Sequence, residues 1–433
     1  MGAGVATEPL CSKSLPPESG TLRVTVRLEN IAHISSAYGP DVGASAVACL
    51  RQLIADAVPG EAEIMPLGDA AFSVFANGAS FASSAGGHVG WLAAICARTS
   101  QTPILVGRAL LCLAVSGEWD AVDAGAGQLG NFSGQAVGSG GAWCSAYRAN
   151  MTLTARVLTA INAECHGWLR ADSGSDCLIV EWQSVCDVEA ERDALYHQAR
   201  LGLLDRSGHR VDCGDLPELF DKMGFADSLD AYLVNKVLEQ LEQDPDVNLG
   251  VRVSAQHAGR ARWWPSVQAR LTADISMARR LAFEIEETAP FADMASVSEF
   301  TAQIRRLGCK VGLCGFGRGF MSIRELLGLS PSFVKIDAMF LADTTHIEQS
   351  ASVLTHLAGL GQALSATVMV DGVNNAEQGE LARRAGIRWQ QGDACSPPGV
   401  SRPWRLRASP GRLSLLDVVG NRGCSDLPAS LVV

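Results

Sequence analysis

Six polar side chains stand late in short apolar runs of the C-terminal half: Arg200, Arg252, Glu284, Asp337, Asp371 and Gln391. In a closed barrel of parallel strands the carboxyl ends converge on one face, so residues in these places would meet. Two chemistries are open to such a set. Converging carboxylates hold hard divalent cations, which polarise phosphoryl oxygens. Arginines in the same ring bind phosphate oxygens directly, in a bidentate way and without metal. Lys335, two residues before Asp337, adds another cation. His197 beside Tyr196 could serve as a base, but no partner is legible near it and the reading is a hydrogen-bonded core residue. The GFGRG segment at residues 315–319 has the look of a phosphate loop yet lacks the lysine of one. Trp263 and Trp264 before Pro265 read as a packing cluster at a helix entry.

The elements that must position these residues follow from periodicity. Apolar runs occur at residues 178–182, 194–201, 249–254, 281–287, 310–316, 332–337, 365–373 and 388–393. Amphipathic helices fall between them, at 229–243, 296–307 and 377–385 among others. Eight runs alternating with helices over about 230 residues predict a closed (β/α)8 barrel of the TIM type. Before it, strands are expected at 22–28, 71–75 and 108–115, with a helix over 44–57. A Gly- and Ser-rich stretch from Ala121 to Gly141 reads as a loop or a decayed element, and a helix over 149–164 as a linker. The expected organisation is a tail at 1–20, an α/β domain at 21–148, a linker helix at 149–177, the barrel at 178–405 and a tail at 406–433.

The chain has 433 residues, enough for two or three cores, since single cores rarely pass about 250 residues. Its net charge of -11 excludes the basic footprint of a nucleic-acid binder. The 13 cysteines show no CxxC pair or zinc-like spacing, so no metal site is expected from them. Their odd number in a large chain favours reduced thiols and a cytoplasmic location. The first 20 residues have neither a basic segment nor an apolar core, and Ala6 spoils a myristoylation reading of Gly2. Stretches such as 91–97 and 109–115 are too short to span about 30 Å of hydrocarbon, so no membrane insertion is expected.

Motifs sharpen this. LAFEIEET, IRRLGCKVGLCGFGRGF, FVKID, VMVDGVNNAEQ and QQGDACSPP follow one another in the order of the ExTE, DDFGTG, KID, AEGVE and QGYxxxxP motifs. The second half thereby resembles the EAL family of cyclic di-GMP phosphodiesterases over about residues 178–400. RLENIAHISSAYGPDVG and LGDAAFSVF resemble two segments of a GGDEF domain over about residues 22–118.

The EAL resemblance implies a cage for two divalent cations. Its glutamate falls on Tyr196, whose phenol titrates near pH 10 and is a poor magnesium ligand. The asparagine falls on Arg252, which has no lone pair to give. The paired aspartates fall on Cys314 and Gly315, and only Glu284 keeps a carboxylate; the outer glutamate is shortened to Asp371, with Asn374 beyond it. Lys335, Gln391 and Arg200 match their motifs. In the first half the metal aspartate falls on Arg27, the acidic pair on Ala70 and Ala71, and the guanine-binding asparagine on Ser35. The expectation is a degenerate GGDEF-EAL tandem that is not an enzyme, holds no metal or cofactor and acts through contacts with regulatory proteins. The alternative is an effector binding cyclic di-GMP without metal through Arg200, Arg252, Lys335 and Gln391, with Glu284 and Asp371 completing the pocket. An active phosphodiesterase is the third reading. Arg252 is expected within ion-pair reach of Glu284 or Asp371.

Overall fold

A computed structural model describes residues 21–58, 62–77, 87–121, 141–165, 176–190, 193–254, 261–286, 294–318, 322–342, 347–364 and 366–408. Both tails expected from the sequence, except residues 406–408, and nearly all of the Gly- and Ser-rich stretch lie outside the described residues. The chain divides into two compact units, Met1–Ala155 and Arg156–Val433, with the helix Gly141–Cys165 containing the boundary.

In the first unit, strands β1 (Thr21–Leu28), β2 (Glu63–Pro66), β3 (Ala71–Asn77), β4 (Ile104–Val106), β5 (Ala109–Leu111) and β6 (Val115–Ala121) are joined by helices Ile31–Tyr38, Pro40–Ala57 and Gly87–Gln101. The sheet runs β2-β3-β1-β6 with antiparallel neighbours. Alternation in β1 puts Leu22, Val24, Val26 and Leu28 in the core, and the helix Pro40–Ala57 meets it with Ala46, Leu50 and Ile54 at helical spacing. The apolar run at 108–115 is not one strand. Its first part pairs with β4 as a hairpin, and the Asn30 amide then grips the chain at Cys112 O and Ala114 N, so that β6 starts at Val115.

The second unit contains β7 (Cys177–Asp187), β8 (Ala194–Leu204), β9 (Arg210–Val211), β10 (Leu249–Val253), β11 (Leu281–Glu286), β12 (Lys310–Phe316), β13 (Phe333–Ile336), β14 (Thr367–Val370) and β15 (Trp389–Gln390). They follow the order β10-β11-β12-β13-β14-β15-β7-β8-β9, and a β10–β8 pairing closes eight of them into a barrel, leaving β9 outside the closure. All eight apolar runs of the sequence are barrel strands. The first departs from a regular (β/α)8 unit: β7 is antiparallel to both β8 and β15, because no helix separates β7 from β8 and a short connection can only reverse the chain.

Inside the barrel, Val185, Tyr196, Ala282, Phe333 and Met369 from five strands pack into an apolar floor. The rings fill it so completely that a Cβ at Gly312 would stand 1.8 Å from Phe333. Outside, the opposite strand faces bury Val251, Phe283, Ile285, Val311, Leu313, Val334, Ile336 and Val370 against the helices. Trp263 and Trp264 join this layer, packed on Phe283 and Phe300. Among the described residues no helix is long and apolar enough to cross a membrane.

Candidate functional site

Strand alternation stacks polar residues above the apolar floor in two levels. Gln183, Gln198, Glu284, Cys314, Lys335 and Gln391 form the lower one. The Glu284 side chain is 0 % exposed and that of Lys335 1 %, so each depends on protein partners alone. Glu284 Oε1 accepts from Tyr196 OH at 2.6 Å. Its Oε2 accepts from Gln198 Nε2 at 2.7 Å, Lys335 Nζ at 2.9 Å and Cys314 Sγ at 3.2 Å. Lys335 Nζ also donates to Gln391 Oε1 at 2.7 Å, and Gln391 Nε2 returns to Gln198 Oε1 at 2.6 Å. Burial pushes the Glu284 carboxyl up, but the Lys335 charge and the hydrogen bonds from Tyr196, Lys335 and Cys314 outweigh it and hold it below its ordinary value. Burial works to lower Lys335, and the Glu284 charge reverses this and raises it.

The upper level is the mouth. Arg252 donates to Glu286 and, at 2.8 Å, to Asp215 Oδ2. Arg318 Nε reaches Asp337 at 2.8 Å and its Nη1 lies 3.6 Å from Glu286. Burial would lower Arg252, yet Glu286 and Asp215 raise it. Arg200 is exposed and donates to Gln183 Oε1 at 2.8 Å. Asp371 is half-buried and its carboxylate accepts from the Gly372 N–H at 2.8 Å. A pocket between the mouth and the helix Leu216–Met223 is lined by Gln198, Arg200, Gly214, Asp215, Leu216, Pro217, Leu229, Leu233 and Arg252.

The expected pairing of Arg252 with Glu284 or Asp371 is corrected by this geometry. Arg252 and Glu284 stand opposite in the β10–β11 register, but the long arginine side chain reaches up to the mouth, where Glu286 and Asp215 wait. The cation on Glu284 is Lys335. Gln183, Gln198, Asp215, Glu286 and Arg318 were missed. Gln198 lies between Tyr196 and Arg200, and Glu286 two beyond Glu284, so a period of two could have found both. Asp215 comes from a loop and gave no such signal.

Two divalent cations do not fit this donor set. Tyr196 and Cys314 stand as donors to Glu284, Gly315 has no side chain, and an arginine occupies the fourth position. Among the described residues no group of three or more His, Cys, Asp or Glu side chains is placed to hold a metal ion. His197 lies on the opposite strand face from Tyr196, its Nδ1 2.8 Å from Ser184 Oγ and its ring against Trp404. In the first unit, Arg27 pairs across β1 and β3 with Ala71, and Ala70 extends that pairing by accepting from the Leu28 N–H.

Below the pocket, Asp230 is buried in the helix Ala226–Gln243 and accepts from the Ser254 N–H at 2.9 Å. Burial raises its carboxyl well above the ordinary 3.8. An acid raised in the folded state contributes most below its unfolded pKa, and that contribution is lost as pH rises through the folded value. Asp230→Asn keeps an oxygen for Ser254 and has no charge to bury. It is expected to stabilise the barrel near neutral pH by about 1 kcal/mol and to flatten the dependence of unfolding on pH. Thermal melts of both proteins between about pH 5 and 8 check this; a variant less stable than wild type at pH 7 refutes it.

A sequence model of the EAL domain matches residues 167–398. The cyclic di-GMP phosphodiesterase RocR of Pseudomonas aeruginosa is 28% identical over 191 residues, which cover 44% of this chain and 48% of RocR. The cyclic di-GMP phosphodiesterase PdeF of Escherichia coli is 20% identical over 211 residues, covering 48% of this chain and 28% of PdeF. The chain spans about half the length of such relatives or less. Among solved structures, the PaMucR phosphodiesterase in complex with c-di-GMP overlays with a TM-score of 0.48 and 20% identity, over 56% of this chain and 97% of that one. The S helix-GGDEF-EAL portion of Vibrio cholerae LapD overlays with a TM-score of 0.48 and 14% identity, over 87% of this chain and 88% of that one. These comparisons overturn the expectation that the chain is not an enzyme. RocR and PdeF are phosphodiesterases by name, and the side-chain differences at four positions do not carry a conclusion against that activity.

Proposed function

The chain belongs to the EAL domain family, and on that premise we propose that it is a cyclic di-GMP signalling protein which recognises the dinucleotide at the carboxyl-end mouth of its barrel. The observation that carries the reading is the pocket beside Arg200 and Arg252. It sets the exposed Arg200 beside Arg252, two guanidinium groups suited to phosphate oxygens, at the rim of the polar level that Gln198 belongs to. Gln198, which lines the pocket, is hydrogen-bonded to Gln391 in the polar level below, and the relatives RocR and PdeF are named for the same dinucleotide. In this reading the first unit is a GGDEF-like domain over about residues 21–148, its β2–β3 hairpin carrying Ala70 and Ala71, and the linker helix, which starts at Gly141 rather than at the expected 149 and ends at Cys165, precedes the barrel domain at 178–405.

Titration of the full chain with cyclic di-GMP in a calorimeter is the test. Micromolar affinity is expected, weakened about tenfold or more by Arg200→Ala, since a charge-assisted contact contributes about 1.5 to 3 kcal/mol. No heat at millimolar dinucleotide refutes the reading. Chromatography of the same samples with magnesium or manganese separates recognition with turnover from recognition alone. A second reading, a docking surface for a regulatory protein, is favoured by exposed Leu327, Met339 and Val353 on the successive helices Ile323–Leu329, Met339–Ala342 and Ile347–Ala363.

A further inference from the structure

Glu286 occupies an unusual place at the mouth. Its Oε2 is held by Arg252, and its Oε1 faces Arg318 Nη1 at 3.6 Å, so one carboxylate bridges two guanidinium groups. Each arginine has a second anchor that does not depend on Glu286: Asp215 at 2.8 Å for Arg252 and Asp337 at 2.8 Å for Arg318. Asp215 is itself fixed as the cap of the helix Leu216–Met223, its Oδ1 accepting from the Glu218 N–H at 3.0 Å, and Asp337 accepts from the Met339 N–H at 2.8 Å. Taking Glu286 away therefore leaves two cations held in place. The Glu284–Lys335 level below is closed by its own hydrogen bonds and offers them no other partner.

We propose that Arg252 and Arg318 form a metal-free anion site in which a phosphate or phosphodiester group displaces Glu286 from between the two guanidinium groups. The inference rests on the mouth being where the dinucleotide binds, and it adds what the ligand must compete with. Among the described residues, three carboxylates, Asp215, Glu286 and Asp337, pair with these two guanidinium groups, so the arginines are already satisfied when no ligand is bound. An anion enters only as Glu286 swings out, and the planar guanidinium forks then meet its oxygens. Glu286 is in this sense a resident competitor that sets the affinity threshold.

The test is calorimetric titration of the full chain, wild type and Glu286→Gln, with inorganic pyrophosphate and separately with cyclic di-GMP, in buffer containing EDTA. Glu286→Gln is expected to bind pyrophosphate at least tenfold more tightly than wild type, and adding Arg318→Ala is expected to return the affinity to the wild-type level. Equal or weaker binding by Glu286→Gln overturns the inference, as does a gain that survives Arg318→Ala. Should Glu286→Gln not fold, Arg318→Ala in the otherwise wild-type chain decides: a loss of fivefold or more for either anion supports the site, and anything less overturns it. The two anions separate this inference from the reading beneath it. A pyrophosphate gain with no cyclic di-GMP binding in either protein upholds the anion site and sinks the dinucleotide reading. Wild-type binding of cyclic di-GMP that is indifferent to Glu286→Gln upholds that reading and sinks the exchange.

Discussion

Replacing Lys335 by methionine is expected to cost the barrel about 3 to 5 kcal/mol, the penalty for stranding a buried charge. Methionine matches the lysine stem in volume and removes only the ammonium, which donates to Glu284 at 2.9 Å and to Gln391 at 2.7 Å. The Glu284 side chain is fully buried. Glu284→Gln in turn leaves the ammonium facing a neutral group, at a similar cost. The double variant loses less than the sum, by about 2 kcal/mol or more, because neither charge is then stranded. Urea unfolding of the four proteins, read on the barrel transition, measures this coupling, and costs that add within about 0.5 kcal/mol would show that the pair is not one unit. The pH dependence has a definite sign. Glu284 is depressed below its ordinary 4.5, so its contribution is present above that value and lost as pH falls through the folded one; Lys335 is raised above 10.5, so its contribution is present below that and lost only as pH rises through the folded value. Lys335→Met should therefore remove stability across the whole neutral range and leave the acid limb shallower than that of wild type.

The barrel was legible because buried parallel strands read as short apolar runs, and each of the eight runs sits in the closed sheet. The reversal of β7 was not, since the residues inside a strand say nothing of its direction; only the short link from Asp187 to Ala194 does. The site was half legible. Glu284, Lys335 and Gln391 were picked from strand ends and meet in one hydrogen-bonded level. Arg252 was placed on the right face and given the wrong partners, because its reach carries the guanidinium a level above its own Cα. Glu286 was legible by its spacing and passed over. Arg318 was hidden in a glycine-rich segment read for its glycines, and Asp215 in a loop whose path depends on the packing of the helix it caps. The first unit obeys the same rule: β1 shows alternation and β3 is a short, almost wholly buried run, whereas the β4–β5 hairpin is three residues a side and its apolar run continues without a break to the start of β6.

Gly392→Ala is expected to be the other severe substitution, costing about 3 kcal/mol or more, since it combines overpacking with loss of hydrogen bonds. A Cβ there would stand 2.3 Å from both the N and the O of Val373. Neither atom can give way cheaply. The Val373 N–H donates to Gln391 O at 2.9 Å, and Val373 O accepts from the Ala394 N–H at 3.0 Å, so the peptide that would be struck is the one that staples the chain end of β15 to the end of β14. Gln391, the preceding residue, is the partner of both Lys335 and Gln198, and a shift of its backbone would loosen the buried level beneath the mouth. Backbone conformation adds to this, because Gly392 has φ +151°, which side chains rarely adopt. Gly386→Ala separates the two effects: Gly386 has φ +76° with nothing within 4 Å of a Cβ, so that variant should cost only about 1 to 2 kcal/mol of left-handed strain. Denaturant midpoints of both variants decide the matter. If Gly392→Ala costs no more than Gly386→Ala, Val373 is not a wedge and Gln391 is not held from its backbone.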